Sequence, residues 1–190
     1  MTRSFDPDRP VPAELLERLV DLASRAPSAG KTQGWHLVVL EGERTGAFWD
    51  ETLPAPRRET FAFPGLLDAP VILLPLADPA AYIQRYSEPD KAVTGWGAGT
   101  EAWSAPYWTI DTSMAVMTML LAAEDAGLGT LFFAVSNNAD RLRERLGIPE
   151  RLELLGAIAM GWPAGTPSRR GRSSTRTRRR PSEIIHRDHW

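Results

Sequence analysis

Apolar residues recur at helical spacing in two parts of the chain. Leu15, Leu19 and Leu22 follow Pro12 at intervals of three and four residues, which predicts an amphipathic helix with one buried face. Residues 107–126 also form a helical pattern, but they are apolar nearly all round. A helix without a polar face must be buried, either in the protein core or at a subunit interface.

Continuous apolar runs rich in β-branched residues predict the strands. The strands are expected at residues 35–40, 70–75, 130–135 and 152–160, and the first two are expected to be covered on both faces. Between them the sequence predicts short helices at residues 44–51, 79–85 and 138–146. Proline and glycine make residues 53–64 and 86–106 loops, and the second loop is long and contains two tryptophans.

Length and composition point to one domain with one core. The chain has 190 residues, of which 43% are hydrophobic, so a single α/β or α+β domain is expected. With no cysteine, disulfides, thiolate metal sites and cysteine nucleophiles are excluded. The first residues carry no apolar signal-peptide core, and no apolar run approaches the ~20 residues of a membrane span. We therefore expect a cytoplasmic protein without a membrane segment.

The net charge of −2 conceals a strong asymmetry along the chain. Residues 165–190 carry eight arginines against two acids, a balance of +6, and the rest of the chain carries −8. Such a tail is compatible with a nucleic-acid arm, a solvated linker or a clamp for the phosphate of a small ligand. Because no aromatic residues alternate with the arginines for base stacking, a nucleic-acid partner is the least favoured of the three.

A polar loop at residues 26–34 joins the first helix to the first strand. Pro27 is expected to end the helix, and Gly30 and Gly34 allow a ligand to approach the backbone closely. The loop also supplies polar side chains, namely those of Ser28, Lys31, Thr32 and Gln33. On spacing alone, an ordinary solvated connection is the better interpretation.

The same loop resembles a signature of the nitroreductase family of FMN-dependent oxidoreductases. It reads Ala-Pro-Ser-Ala-Gly-Lys-Thr-Gln-Gly-Trp at residues 26–35. Similar family segments follow in the family's order: Ala-Gly-Leu-Gly-Thr at 126–130, Leu-Gly-Ile-Pro-Glu at 146–150 and Met-Gly-Trp-Pro at 160–163. The resemblance implies a three-layer α+β fold, with a mixed central sheet flanked by helices. It also implies an intertwined homodimer with two FMN sites at the interface.

The resemblance implies cofactor-binding roles in four parts of the chain. Arg3 and Ser4 would contact the flavin phosphate and ribityl groups. The loop would lie along the isoalloxazine ring through Pro27, Ser28 and Ala29, with Gln33 close by. The backbone of Phe133 and Ala134 would face flavin N5, and Arg179 near the C-terminus would bind the phosphate.

Two differences from the family pattern bear on flavin binding. Lys31 stands where Asn is usual, so it either stabilises the reduced anionic flavin or is a solvated loop lysine. Residues 61–65 lack the Asn and Lys that some members offer to the pyrimidine ring. On the substrate side of the flavin we expect Trp103, Tyr107 and Trp108, although aromatic residues beside an apolar helix often serve only packing.

The implied function is hydride transfer from NAD(P)H through FMN to a nitroaromatic, quinone or similar acceptor. Two alternatives are a non-catalytic protein of the same fold that binds or sequesters flavin, and a family branch that modifies flavin. Ser28 has no evident His and Asp partners for a hydrolase triad. We expect residues 1–163 to form the FMN-binding domain, 164–181 an arginine-rich loop, and 182–190 a C-terminal arm or strand.

Overall fold

The computed structural model describes residues 1–165 and 171–190 of the chain. Its five strands form one sheet in the order β1-β2-β5-β3, and β4 pairs separately with β2. The strands are β1 (Trp35–Glu41), β2 (Val71–Ala77), β3 (Gly129–Phe133), β4 (Glu153–Leu154) and β5 (Ala157–Gly161). All pairings among the described residues are antiparallel. A mixed sheet, which the resemblance implies, would therefore need a parallel strand that is not among the five described strands. Such a strand would have to pair with an outer strand, β1 or β3.

Helices cover both faces of the sheet. Helix α1 (Ala13–Ala23) and helix α5 (Tyr107–Asp125) pack on one face, where their apolar side chains meet Val71, Leu73 and Ile158. Helix α2 (Thr45–Thr52) and helix α6 (Ala139–Arg145) cover the other face over alternate residues of the same strands. This alternation follows from the period of two along a strand. The α+β class and the three layers are confirmed.

The first helix and the first strand differ from their predictions. Helix α1 ends at Ala23, well before Pro27, because its last turn is closed by amides of Ser24 and Arg25 that bond to carbonyls within the helix. Strand β1 has the predicted position but is an outer strand. Its side chains are therefore mostly half-buried, and the side chain of His36 is 53% exposed.

Two further segments carry structure where loops or boundaries are predicted. Helix α3 (Ala55–Arg58) lies inside the predicted loop at 53–64, and Pro54 stands at its N-cap. Strand β2 continues through Pro75, whose carbonyl accepts the amide of Leu155. Helix α4 (Pro79–Tyr86) agrees with prediction, as Asp78 caps it by accepting the Ala80 amide at 3.1 Å.

Helix α5 has the predicted bounds to within one residue, and Gly127 follows it with a φ of 79°. One side of it packs in the core, but Ile110, Met117 and Leu121 are 39%, 52% and 59% exposed. The apolar circumference is therefore only partly covered by this chain. In the described part of the chain, no helix is long and apolar enough to cross a membrane.

The C-terminal residues that the structure describes form two short 3-10 turns and no strand. Residues 173–190 are exposed throughout. Arg169 and Arg170 of the predicted arginine-rich loop lie outside the described residues. The division of the chain at residues 163 and 181 stays a prediction.

Candidate functional site

A cavity of about 410 Å³ opens beside the end of strand β3. Its walls come from helix α2, from the segment before β2 and from β3 itself. The aromatic side chains that line it are Phe48, Trp49, Phe61, Phe63, Phe132 and Phe133. Trp49 and Phe133 are parallel with ring centroids 6.1 Å apart, and Phe48 meets Phe133 edge to face at 5.9 Å. The cavity is thus lined largely by aromatic rings, an environment that suits an apolar group.

Arg3 supplies the cationic side chain of this cavity. Its position is fixed by its neighbours, since the Thr2 amide donates to the Thr130 carbonyl at 2.9 Å and the Phe5 side chain is buried. The guanidinium lies over the Phe63 ring, 5.2 Å from its centroid. Among the described residues it has no hydrogen bond or ion pair, so it can bind an anionic group of a ligand.

Ser4 is not a cavity-lining residue. A Cβ at Gly65 would lie only 2.6 Å from the Ser4 hydroxyl oxygen, so this side chain packs against the Gly65 backbone. The Ser4 carbonyl accepts the Ala164 amide at 3.0 Å. Within this chain Ser4 therefore fixes the N-terminal segment beside the cavity, and its predicted contact with a ligand stays a prediction.

The backbone after strand β3 forms another part of the cavity wall. Phe133, Ala134 and Val135 line the cavity, and β3 ends at Phe133. No described residue accepts a hydrogen bond from the amides of Ala134 and Val135. Ala134 is exposed and Val135 is half-buried, so their amides, which have no acceptor among the described residues, can donate to a ligand in the cavity.

The loop of residues 27–34 has a strained backbone. Three of its residues have left-handed φ angles: Gly30 at 61°, Lys31 at 54° and Gln33 at 53°. The last two are not glycine, and such conformations persist only where surrounding contacts impose them. Here the Gln33 amide donates to the Ser28 hydroxyl at 2.8 Å, and Arg85 Nε donates to the Gly30 carbonyl at 3.0 Å.

Side chains in this loop differ in how far a ligand could reach them. Pro27, Lys31 and Gln33 are exposed, whereas Ser28 and Ala29 are half-buried. The Gln33 amide group donates to the Ser24 carbonyl at 2.9 Å, which ties it back to the end of helix α1. The exposed ammonium of Lys31 is in no ion pair with a described residue.

The loop and the cavity are far apart within one chain. The loop precedes β1 at one edge of the sheet, and the cavity lies beside β3 at the opposite edge. Three strand spacings of about 4.8 Å separate these edges. The cavity is walled by helix α2 on one face, whereas the loop contacts Asp111 of helix α5 on the other face. One copy of the chain therefore does not bring the predicted cofactor-binding residues together.

The predicted substrate-side residues lie in an aromatic cluster beside the loop. Trp103 and Trp108 are 8% and 7% exposed, and they pack with Tyr82 and Tyr86. Their indole N–H groups are already paired, Trp103 with the Trp96 carbonyl and Trp108 with Glu153. These two side chains therefore belong to the buried cluster against which Ala29 of the loop packs. Only Tyr107 is half-buried, and the substrate role of all three stays a prediction.

Arg179 lies in the exposed tail and is not one of the residues that line the cavity. Its guanidinium donates to the Glu183 carbonyl, and the Arg180 amide donates to the Glu183 carboxylate at 2.6 Å. Arg178, Arg179 and Arg180 line a separate shallow depression. The phosphate-binding role of Arg179 stays a prediction.

Three residues of the cavity and the loop surroundings were not predicted from the sequence. Phe48 and Trp49 form a cavity wall, and their signal is an adjacent aromatic pair in a short helix. Asp111 contacts the loop, and its signal is an acid in the first half of a mainly apolar helix, far from the two acids at the C-terminal end. An ionisable residue at such a position is expected only where it has partners.

Comparison with known proteins identifies the class. The profile of the Nitroreductase family matches residues 1–162, and the chain therefore belongs to this family of flavin-dependent oxidoreductases. A protein of Archaeoglobus fulgidus assigned as an NADH dehydrogenase/NAD(P)H nitroreductase is 30% identical over 162 residues, which cover 82% of this chain and 76% of that protein.

Solved structures show the same fold. A nitroreductase family protein from Clostridium difficile has a TM-score of 0.69 at 23% identity, covering 100% of this chain and 93% of that one. A protein from Exiguobacterium sibiricum, assigned as a nitroreductase and solved in complex with FMN, has a TM-score of 0.74 at 18% identity. That alignment covers 97% of this chain and 91% of the other.

Proposed function

We propose that the protein binds FMN and transfers reducing equivalents from NAD(P)H to a small aromatic acceptor such as a nitroaromatic or a quinone. The observation that carries this proposal is the aromatic cavity at the end of β3, in a chain of the nitroreductase family, with an arginine and backbone amides that have no partner among the described residues.

The residues of the cavity fit a flavin mononucleotide. Arg3 would neutralise part of the phosphate charge, because its guanidinium has no competing partner among the described residues. The aromatic walls would pack against the isoalloxazine ring, and the amides of Ala134 and Val135 would donate to its polar edge. Phe61 and Phe63 stand where some relatives have polar groups for the pyrimidine ring. Backbone donors and Arg3 would therefore carry most of the polar recognition.

A second copy of the chain would complete the site. The loop of residues 27–34 and the cavity lie on opposite faces of the sheet, so a homodimer is needed to place the loop of one chain against the cavity of its partner. The exposed stripe of Ile110, Met117 and Leu121 on α5 supplies an apolar surface for that pairing. A dimer built in this way has two equivalent sites.

The chain itself would position the reactants and exclude water. FMN, when bound, would supply the redox chemistry between NAD(P)H and the acceptor. The apolar walls would keep solvent from the reacting face, and Lys31 of the partner loop would favour a reduced, negatively charged ring. Because the cofactor would carry the chemistry, the described residues of the cavity need no paired general acid and base.

An absorbance titration tests the proposal. Purified protein should acquire a perturbed flavin spectrum with added FMN, and anaerobic NADH or NADPH should bleach it. Reoxidation by a quinone would complete the cycle. A protein that binds FMN but is never bleached would be a flavin-sequestering protein, and loss of the flavin chromophore during turnover would identify a flavin-modifying enzyme. Failure to bind FMN at all would refute the proposal.

A further inference from the structure

Asp111 is a buried carboxylate in the first half of helix α5. It is 5% exposed, although its helix is otherwise mainly apolar. No ion pair to Asp111 is found in the described part of the chain. Burying a carboxylate without a cation is unfavourable unless hydrogen bonds replace its hydration. The partners it does have therefore indicate its role.

One partner belongs to the loop at residues 27–34, and the other lies against that loop. The Ala29 amide donates to Asp111 Oδ2 at 2.7 Å, and the Tyr82 hydroxyl donates to the same oxygen at 2.8 Å. The Tyr82 hydroxyl oxygen is also 3.5 Å from the Ser28 hydroxyl. Burial, followed by the contact with Asp111, raises the pKa of Tyr82, so this hydroxyl remains a donor well above neutral pH.

These bonds are the first in a series of contacts that hold the loop backbone in its strained conformation. Asp111 fixes Ala29, Ser28 accepts the Gln33 amide, and the left-handed residues Gly30 and Lys31 lie between these two anchors. Gly34 then packs against Tyr82, where a Cβ would come within 2.8 Å of the ring. Without the first anchor, the loop would be held by fewer contacts, among them the bond from Arg85 Nε to the Gly30 carbonyl, and its backbone would relax more readily toward ordinary φ angles.

We propose that Asp111 is a positioning residue that holds the Ser28–Gln33 loop in the conformation that receives the flavin of the partner chain. The flavin part of this inference rests on the proposed function. The holding of the loop does not, because its hydrogen bonds are made within one chain without a ligand.

Two substitutions at Asp111 separate the loss of the hydrogen-bond acceptor from the loss of the negative charge. In Asp111→Leu the branching at Cγ is kept, although the side chain is larger, and the acceptor is lost. In Asp111→Asn one oxygen remains, and one oxygen suffices because Oδ2 alone accepts both bonds. Thr112→Val is the matched control: Thr112 is the next residue, is fully buried, and its hydroxyl donates to the Trp108 carbonyl within the helix.

The first readout is hydrogen exchange of the Ala29 amide in the flavin-free protein, followed by NMR. Asp111→Leu should speed this exchange roughly tenfold to a hundredfold, the factor that corresponds to loss of a charge-assisted hydrogen bond. Asp111→Asn and Thr112→Val should change it by less than about threefold, since a neutral acceptor or an unrelated helix bond leaves the anchor in place.

The second readout is the dissociation constant of FMN. Asp111→Leu should weaken FMN binding by roughly tenfold or more, with Asn restoring affinity to within about threefold of wild type. Unchanged Ala29 exchange in Asp111→Leu, or faster exchange with unchanged FMN affinity, would overturn the inference. Equal losses in Thr112→Val would also overturn it, because the effect would then belong to the helix. If wild-type protein binds no FMN, the proposed function fails, while the exchange experiment still decides whether Asp111 holds the loop.

Discussion

Substituting Asp for Met117 should abolish dimer formation while leaving the monomer fold intact. Met117 is 52% exposed in the isolated chain, on the same side of α5 as Ile110 and Leu121. An aspartate there is solvated in the monomer, whereas in the proposed dimer it would be buried opposite its symmetry mate or close to it.

The magnitude follows from the exposed apolar surface. Complete burial of such a side chain stabilises by about 1.5–3 kcal/mol. Each of the three side chains is roughly half exposed, so its burial at the interface contributes ~0.75–1.5 kcal/mol. The two chains of the dimer together bury six such side chains, which gives ~4.5–9 kcal/mol. Aspartate at Met117 removes ~1.5–3 kcal/mol of this per dimer and adds the burial of two unpaired carboxylates, at several kcal/mol. The dimer dissociation constant should therefore rise at least about a thousandfold.

Sedimentation equilibrium over nanomolar to micromolar concentrations measures this constant. Met117→Leu serves as the control, because it keeps an apolar side chain of similar volume and should remain dimeric. Circular dichroism should show the same helix content in both variants. Met117→Asp protein that sediments as a dimer with an unchanged constant would refute the assignment of this face.

Three further predictions concern the site. Arg3→Ala should weaken FMN binding by about one to two decades, the loss of a contact worth ~1.5–3 kcal/mol. Arg9→Ala, in the same segment but stacked on Trp162 at 3.5 Å, should leave affinity unchanged in the same titration. Lys31→Met should lower the flavin midpoint potential in a spectroelectrochemical titration, since it removes a cation that favours the reduced anion; an unchanged potential would make Lys31 a solvated lysine. Because the folded protein raises the pKa of Tyr82 above its ordinary value of about 10, the stability this group contributes is present below about pH 10 and lost above it. The difference in melting temperature between wild type and Tyr82→Phe should therefore shrink as pH rises past about 10, and a constant difference would contradict the shift.

Local sequence patterns predicted those helices and strands whose burial depends only on their own residues. Helix α5 has an apolar pattern long enough to exclude a strand, and Gly127 marks its end. Strand β2 has a continuous apolar sequence, and all seven of its residues are buried. In both cases burial follows from the composition of the segment itself.

Strand order could not be predicted, because it depends on pairings between distant residues. The apolar sequence of β1 suits a central strand, yet β1 is an outer one, and this accounts for the exposed His36. The same limit applies to the site. The resemblance pointed to Arg3, to the loop and to Phe133 separately, but only the sheet order shows that the loop and the cavity lie at opposite edges of the sheet.

The most direct test of the account is the FMN content of a mixed dimer. One chain carries Arg3→Ala in the cavity, and the other carries Gly30→Val in the loop, where a φ of 61° disfavours a β-branched residue. Dimers that contain one chain of each kind can be purified through two different affinity tags. If the cavity of one chain and the loop of its partner form each site, this dimer keeps one intact site and should bind about one FMN tightly, with the other site doubly damaged. The reciprocal control pairs a wild-type chain with a chain carrying both substitutions and should bind none tightly. The opposite pattern, no tight site in the mixed dimer and one in the control, would contradict the account, because cavity and loop would then belong to the same chain.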